Sequence, residues 1–305
     1  MLPYELTILG CGSASPAKER NPTSHYLKWG SRTFLLDCGE GTQMRMLQYG
    51  VKSSRIEHVY ITHLHGDHFF GLIGLLTSYG MVKRTAPLKI IGPPGLSAII
   101  LQQLELMGSD LSFAIEFITW QAEYAKVFED DQLEVFTIPL SHRTPTCGYL
   151  FVEKDGLRKI IRAQIDSLQI PLEKIPEIKA GADYITTDGR IISNAELTLP
   201  PKEGKRFAFI TDTVYLPEIT QHLQKVDLLY HEATFNNANA EKAQSTFHST
   251  AEQAAKIALA SNAKQLLIGH FSAKIKKEDL DALWQEASSV FSPTVLAAEG
   301  LKIEF

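Results

Sequence analysis

The chain has 305 residues, of which 44% are hydrophobic and 21% are charged, as is ordinary for a globular protein. A formal net charge of −5 excludes strong overall attraction to polyanions, so any contact with nucleic acid must come from a local patch. Its three widely spaced cysteines argue against a disulfide framework and indicate a reducing setting. The sequence has neither the pattern of a signal peptide nor a long apolar run, so we expect a cytoplasmic protein with no membrane segment.

The first third of the chain predicts short strands separated by Gly-rich turns. The predicted strands are ELTILG, SHYLKW, TFLLDCG, the start of HVYITHLHGDH and LKIIGPPG. Helical apolar spacing appears in FFGLIGLLTSYGM, residues 69–81, and in LSAIILQQLELMG, which Gly108 ends. The run HVYITHLHGDH changes abruptly from apolar to polar, and we expect chemistry at that point.

The middle of the chain predicts further strands and then a weakly patterned segment. FAIEFITW, QLEVFTIPLSH and GYLFVEK have the composition of strands. Residues 156–206 contain four prolines and no sustained period. We therefore predict an inserted arm there, without a core of its own.

The last third again mixes strands and helices. RFAFITDT, VDLLYHEATF and KQLLIGHF predict strands, and EDLDALWQEASSVF predicts a helix before a final strand. STAEQAAKIALASNA predicts an amphipathic helix with Ser249 or Thr250 as its N-cap. Since both outer segments mix the two element types, the expected fold class is an α/β sandwich with two sheets inside and helices outside.

A dense group of polar side chains follows the predicted strand VYIT. His63, His65, Asp67 and His68 place four potential metal ligands within six positions. Two imidazoles two residues apart point the same way from an extended segment, and Gly66 is predicted to permit a bend towards a second position. The motif therefore favours two neighbouring metal ions over one.

Further ligands must come from elsewhere in the chain. His142, Asp212 and His270 each follow an apolar, strand-like run. Taken singly, each such residue is more often a plain loop residue than a ligand. Together with the first cluster they supply the imidazole nitrogens and carboxylate oxygens that zinc prefers.

The combination resembles the metallo-β-lactamase superfamily, whose signature is an HxHxDH loop followed by a His, an Asp and a His. The segments LTILGCGSASP, FLLDCGEGTQ, HLHGDHFFGL, HEATF and FHSTAEQA are more specifically similar to ribonuclease Z, the family of endonucleases that trims the 3′ trailer of precursor tRNA. The resemblance implies a single metallo-β-lactamase-like αββα sandwich over residues 1–305, with residues 156–206 as an inserted arm that binds tRNA. It also implies two zinc ions per subunit.

The resemblance assigns roles residue by residue. It implies one zinc ion on His63, His65 and His142, a second on Asp67, His68 and His270, and Asp212 bridging the two. Asp67 would act as the general base. Glu232 and His248 would assist proton transfer at the leaving group, giving a tRNA 3′-hydroxyl and a 5′-phosphorylated trailer.

The family likeness also implies partners. We expect the protein to bind precursor tRNA, to form a homodimer and not to associate with a membrane. In ribonuclease Z enzymes the arm commonly ends in a Gly-Pro-rich tip, whereas QIPLEKIPEIKAG in this arm contains no Gly-Pro pair. Basic residues of the arm can still meet phosphates, because such contacts require charge more than a fixed sequence.

Two other functions compete with this interpretation. A different binuclear-zinc phosphodiesterase of the same superfamily would use the same ligands on a small substrate, but HEATF, FHST and the arm favour the ribonuclease. A non-catalytic tRNA-binding scaffold would explain the fold. The complete set of potential ligands argues against that second alternative.

Overall fold

A computed structural model describes residues 4–17 and 20–305, and its main body is built on two seven-stranded β-sheets. The strands are β1 (Tyr4–Gly10), β2 (Ser24–Trp29), β3 (Arg32–Cys38), β4 (His58–Tyr60), β5 (Leu88–Gly92), β6 (Ile115–Thr119), β7 (Lys126–Glu129), β8 (Leu133–Leu140), β9 (Thr146–Glu153), β10 (Lys159–Ile160), β11 (Tyr184–Ile185), β12 (Ile191–Ile192), β13 (Thr198–Leu199), β14 (Arg206–Ile210), β15 (Leu228–Glu232), β16 (Leu266–Gly269), β17 (Thr294–Leu296) and β18 (Lys302–Glu304). The helices are α1 (Thr42–Gln48), α2 (Gly66–Met81), α3 (Leu96–Leu106), α4 (Arg162–Ser167), α5 (Ile175–Lys179), α6 (Asn194–Leu197), α7 (Ala240–Thr246), α8 (Ala251–Ala260) and α9 (Leu280–Val290).

Each sheet contains a run of parallel strands. The first sheet has the order β18-β1-β2-β3-β4-β5-β6, with β3 to β6 parallel. The second has the order β17-β16-β15-β14-β9-β8-β7, with β14 to β17 parallel. Loops after the carboxyl ends of neighbouring parallel strands meet at one edge of a sheet, which is where α/β proteins place their sites.

Aromatic side chains fill the space between the two sheets. The ring of Phe151, from β9, lies 5.8 Å from Phe34 of β3 and 5.1 Å from Tyr60 of β4, centroid to centroid. The hydroxyl of Tyr149 donates to the carbonyl of Ile61 at 2.6 Å, so the polar end of this buried ring is satisfied. The inner faces of both sheets thus form one packed layer, the core of a sandwich.

Helices cover the outer faces. In α2, Leu72, Leu75 and Leu76 pack into one buried cluster with Val59 and Ile90 of the first sheet. Helix α8 contacts β15 and β16 of the second sheet. The predicted αββα sandwich is confirmed.

Helix boundaries differ from the prediction at one functionally relevant place. Helix α2 begins at Gly66, not at Phe69, so Asp67 and His68 lie in its first turn. The bend predicted at Gly66 therefore comes from the start of a helix, and Gly66 does not adopt the left-handed backbone that would demand a glycine. At the other end of the chain Thr250, one of the two predicted N-caps, accepts a hydrogen bond from the Gln253 amide and starts α8 with a capping box.

Residues 129–134 and 152–205 form a second compact unit. It contains β10 to β13 and the short helices α4 to α6. Five buried side chains form its core: Ile165, Ile170, Ile178, Ile192 and Leu197. The prediction that this segment has no core of its own is wrong, because elements of two to six residues are too short to show a period in the sequence.

Among the helices of the described residues, none has the length and apolar character needed to span a bilayer.

Candidate metal centre

The ends of four strands and the start of α2 bring the predicted site residues together. His63 and His65 follow β4, whereas His142, Asp212 and His270 follow β8, β14 and β16. Asp67 and His68 occupy the first turn of α2. His65, Asp67, His142, Asp212, His248 and His270 help to line one cavity of about 340 Å³. His63 and His68 lie fully buried at the same place, so every residue predicted as a metal ligand joins one cluster.

Asp212 lies at the centre, with its two oxygens facing two different sets of imidazoles. Its Oδ2 lies 3.7 Å from Nε2 of His63 and 3.6 Å from Nε2 of His142. Its Oδ1 lies 3.4 Å from Nε2 of His68 and 3.1 Å from Nε2 of His270. One carboxylate thus separates two groups of potential ligands.

The remaining distances complete both groups. Nδ1 of His65 lies 3.0 Å from Nε2 of His63 and 3.2 Å from Nε2 of His142. On the other side, Oδ2 of Asp67 lies 3.4 Å from Nε2 of His68. Donor atoms bound at about 2.0–2.1 Å around one tetrahedral zinc ion are separated by about 3.4 Å, so the atoms within each group are spaced closely enough to bind one ion.

Two buried nitrogens support this interpretation independently. Nε2 of His68 and Nε2 of His270 are inaccessible to solvent and have no hydrogen-bond partner. Leaving a buried polar atom unsatisfied costs about 1–3 kcal/mol, and such an atom requires an explanation. Because both atoms point at carboxylate oxygens among other imidazoles, the donor set fits a bound cation, and the fold and cluster together indicate metal dependence.

The pKa shifts of Asp212 and His68 also indicate a site for a cation. Burial would raise the pKa of Asp212, but His270 and His68 outweigh it and hold that pKa well below its usual value. For His68, burial lowers the pKa, yet the carboxylates of Asp212, Asp67 and Asp37 raise it well above the ordinary value. Three carboxylates around one buried imidazole form a strongly negative pocket that demands positive charge.

Asp37, which the sequence did not single out, holds one of these imidazoles in place. The fully buried carboxylate accepts a hydrogen bond from Nδ1 of His68 at 2.7 Å. It also accepts from the amide and the hydroxyl of Thr62, at 2.9 and 3.0 Å. A carboxylate on the far nitrogen fixes the tautomer and orientation of a ligating histidine. The only sequence signal was a carboxylate at the end of the apolar strand TFLLDCG.

Two other histidines are oriented through their second nitrogen. Nδ1 of His142 donates to the carbonyl of Phe247 at 2.9 Å, and Nδ1 of His270 lies 3.1 Å from the hydroxyl of Thr234. Phe247 and His270 both have left-handed backbone, with φ of 62° and 60°. Strain of this kind concentrates at functional sites, where the surrounding contacts maintain it.

Glu232 and His248 form a hydrogen-bonded pair beside the cluster. Oε1 of Glu232, a fully buried residue at the end of β15, accepts from Nδ1 of His248 at 2.9 Å and from the amide of Thr213 at 2.9 Å. Its Oε2 accepts from the hydroxyl of Thr234 at 2.6 Å. Burial lowers the pKa of His248, but the charge and hydrogen bond of Glu232 outweigh it and raise that pKa to about 9. The imidazole that lines the cavity is therefore a proton donor at neutral pH.

Fold and cluster together define a metal-dependent hydrolase of the metallo-β-lactamase superfamily. Residues 189–271 match the family model described as Beta-lactamase superfamily domain, and residues 4–110 match the model described as Anti-Pycsar protein Apyc1. The metallo-β-lactamase fold protein YhfI from Bacillus subtilis, at 17% identity and a TM-score of 0.68 over 99% of this chain and 100% of that one, shares the fold.

More similar relatives narrow the class to one family. Ribonuclease Z of Phocaeicola vulgatus is 45% identical over 301 residues, covering 98% of this chain and 97% of the relative. Ribonuclease Z of Bacteroides fragilis is 43% identical, covering 98% of each chain. The crystal structure of human tRNase Z, short form, superposes with a TM-score of 0.71 at 27% identity over 98% of each chain. The chain belongs to the ribonuclease Z family.

Proposed function

We propose that this protein is a zinc-dependent endoribonuclease that removes the 3′ trailer from precursor tRNA. The observation that carries the proposal is the 42–45% identity to proteins named ribonuclease Z over nearly the whole chain. Human tRNase Z has the same fold over 98% of its length, and its name identifies tRNA as its substrate, which supports tRNA as the substrate proposed here.

The proposal assigns two zinc ions to the two sides of Asp212. His63, His65 and His142 would hold one ion, Asp67, His68 and His270 would hold the other, and Asp212 would contact both; the facing atoms and the two orphaned nitrogens support this division. His248 also forms a group with Asp212 and His270, but the proposal keeps it for proton transfer, because the two sets above already supply three protein ligands to each ion besides Asp212. When bound, two zinc ions lower the pKa of a water molecule and stabilise charge on the oxygens of a phosphodiester.

The side chains supply the proton transfers. Asp67 lines the cavity, and the amide of Ala14 donates to its Oδ2 at 2.7 Å; the carboxylate accepts the proton of the attacking water as general base. The water oxygen bonds to phosphorus as the bond to the ribose 3′ oxygen breaks. His248, oriented by Glu232, gives its proton to that oxygen. The products are a tRNA 3′-hydroxyl and a trailer with a 5′-phosphate.

The proposal includes the arm, a homodimer and a cytoplasmic location. Residues 156–206, all but the last of which belong to the second compact unit, bind the tRNA body through basic side chains such as Lys159 and Lys179. For the dimer, Met44 and Leu47 of α1 and Phe70 of the contacting α2 are 69%, 76% and 63% exposed, an apolar group of the kind that marks protein interfaces. Its substrate, newly made precursor tRNA, places the reaction in the cytoplasm.

The decisive experiment uses zinc-loaded protein and a precursor tRNA with a 3′ trailer. We expect one cut just after the discriminator base, with a 3′-hydroxyl on the tRNA, and none with Asp67→Ala. Zinc is counted in the same samples by elemental analysis. Protein with two zinc ions that cleaves bis(p-nitrophenyl) phosphate but not the precursor would contradict the proposal and favour a small-substrate phosphodiesterase.

A further inference from the structure

A second cavity lies at the opposite end of the first sheet from the metal centre. Strand β3 runs from Arg32 to Cys38, and Asp37 near its carboxyl end contacts His68. Thr33, near the other end of β3, lines the second cavity, which has a volume of about 500 Å³. Thr33 and Asp37 are four positions apart along the strand, or about 13 Å. The two cavities are therefore distinct.

The floor of this second cavity is a group of hydroxyl-bearing side chains on one face of the sheet. Thr7 pairs with Tyr26 across β1 and β2, and Lys28 pairs with Thr33 across β2 and β3. Tyr26 and Lys28 are two residues apart in β2, so both pairs lie on the same face. Thr7, Tyr26 and Thr33 are almost fully buried, which makes their side chains the bottom of the cavity.

Cations form the walls. Lys28, Lys52, Arg55 and Lys302 line the cavity, and no Asp or Glu lines it. Nζ of Lys28 forms an ion pair with Glu5 at 2.6 Å, and Glu304 lies on the same sheet face as Lys302. Over residues 4–17 and 20–305, no ion pair engages Lys52, Arg55 or Lys302. In a chain with a net charge of −5, three unpaired cations converging on a concave surface form a local positive site.

We propose that this cavity, the basic cavity, binds the phosphate group of a nucleotide-sized ligand. Phosphate offers several acceptor oxygens and up to two negative charges, which match converging guanidinium and ammonium donors. A volume of about 500 Å³ is within the range of small-molecule sites and encloses a mononucleotide. The same phosphate chemistry occurs in a free nucleotide and at the phosphorylated end of an RNA. The proposal does not depend on the reaction at the metal centre.

The test compares phosphate binding by wild type and by Lys52→Ala/Arg55→Ala/Lys302→Ala. Isothermal titration with inorganic phosphate, AMP and adenosine is run on zinc-loaded protein; the triple variant leaves the metal centre intact, so the difference between the two proteins reports binding at the basic cavity alone. We expect AMP and phosphate to bind wild type and adenosine not to bind. The triple variant should lose affinity at least about tenfold, because charge-assisted hydrogen bonds are removed. A short RNA with or without a 5′-phosphate then distinguishes a free nucleotide from an RNA end as the source.

The matched control is Lys89→Ala/Lys154→Ala/Lys256→Ala, which removes three positive charges that are already paired with carboxylates. It should bind AMP as wild type does, and both triple variants should melt near the wild-type temperature because the changed side chains lie at the surface. Equal loss in the two variants would show a general charge effect and overturn the proposal. Failure of wild-type protein to bind phosphate or AMP would overturn it as well. Neither result bears on the cleavage of precursor tRNA, because that reaction is proposed for the metal centre and is measured separately.

Discussion

The metal centre and the second compact unit are stabilised in different ways. At the metal centre, buried hydrogen bonds fix single side chains: Asp37 holds His68, and Glu232 holds His248. In the second unit, residues 129–134 and 152–205, a small cluster of aliphatic side chains forms the core, and the buried hydrogen bonds of Asn194 and Thr198 join its short elements to one another. A reacting centre needs each atom placed closely, whereas a surface that meets phosphates needs mainly charge and a stable support. Single substitutions should therefore abolish the chemistry in the first region and weaken only binding in the second.

The largest effect is expected from Asp212→Asn. The change keeps the size of the side chain but removes the negative charge that both groups of imidazoles face. Two-ion binding should fail, and kcat should fall at least about a thousandfold, since metal ions contribute several kcal/mol of charge stabilisation. Zinc content and single-turnover cleavage are measured together. If the variant bound two zinc ions and kept full activity, the bridging role assigned to Asp212 would be wrong.

His248→Ala should separate catalysis from metal binding. The variant should retain zinc and lose about a hundredfold or more in kcat, because general acid catalysis is worth about 10²–10⁴. A precursor with sulfur in place of the 3′-bridging oxygen needs no proton on its leaving group, so this substrate should restore most of the rate. Glu232→Gln should show a smaller loss with the same rescue, because Glu232 acts through His248. Loss of zinc in His248→Ala would instead make His248 a ligand.

Asp37→Asn tests whether orientation of a ligand matters apart from the ligand itself. The change removes the negative charge that Asp37 places against Nδ1 of His68, so metal affinity should fall about 10–100-fold. Zinc affinity is measured by competition with a chelator. The control is Asp227→Asn, a buried carboxylate that pairs with Lys264 away from the cluster. It should lower the melting temperature without changing zinc affinity, whereas equal affinity losses would indicate a general stability effect.

The residues of the cluster could be singled out from the sequence because their signal is local. His63, His65, Asp67 and His68 lie within six positions, and each of the later proposed ligands lies one or two positions after an apolar strand. The same rule did not single out Asp37, although this residue also lies at the end of an apolar strand, because its importance depends on a contact with His68 across 31 positions of sequence. It also failed for Thr234, an ordinary residue until the fold places its hydroxyl between Glu232 and His270.

The fold was predictable where elements are long enough to show a period. Helices α2, α3, α8 and α9 each have at least ten residues, and all were predicted. Helices α1 and α7 have seven residues each and were missed, because two turns contain too few apolar positions to define a face. The core of the second unit was missed for the same reason, since its five side chains come from separate short elements and irregular turns.

The smallest effect on chemistry is expected from Ile178→Ala in the second unit. Ile178 is 1% exposed and belongs to the small core there, so truncation should destabilise that unit by about 2–5 kcal/mol. If the unit binds tRNA as proposed, KM for precursor tRNA should rise several-fold while hydrolysis of bis(p-nitrophenyl) phosphate stays unchanged. Hydrogen exchange should show faster opening confined to residues 152–205. The matched control, Leu172→Ala, truncates an aliphatic side chain that is 77% exposed and should leave exchange unaltered. An unchanged KM in Ile178→Ala, despite faster exchange, would show that precursor recognition does not depend on the folded second unit.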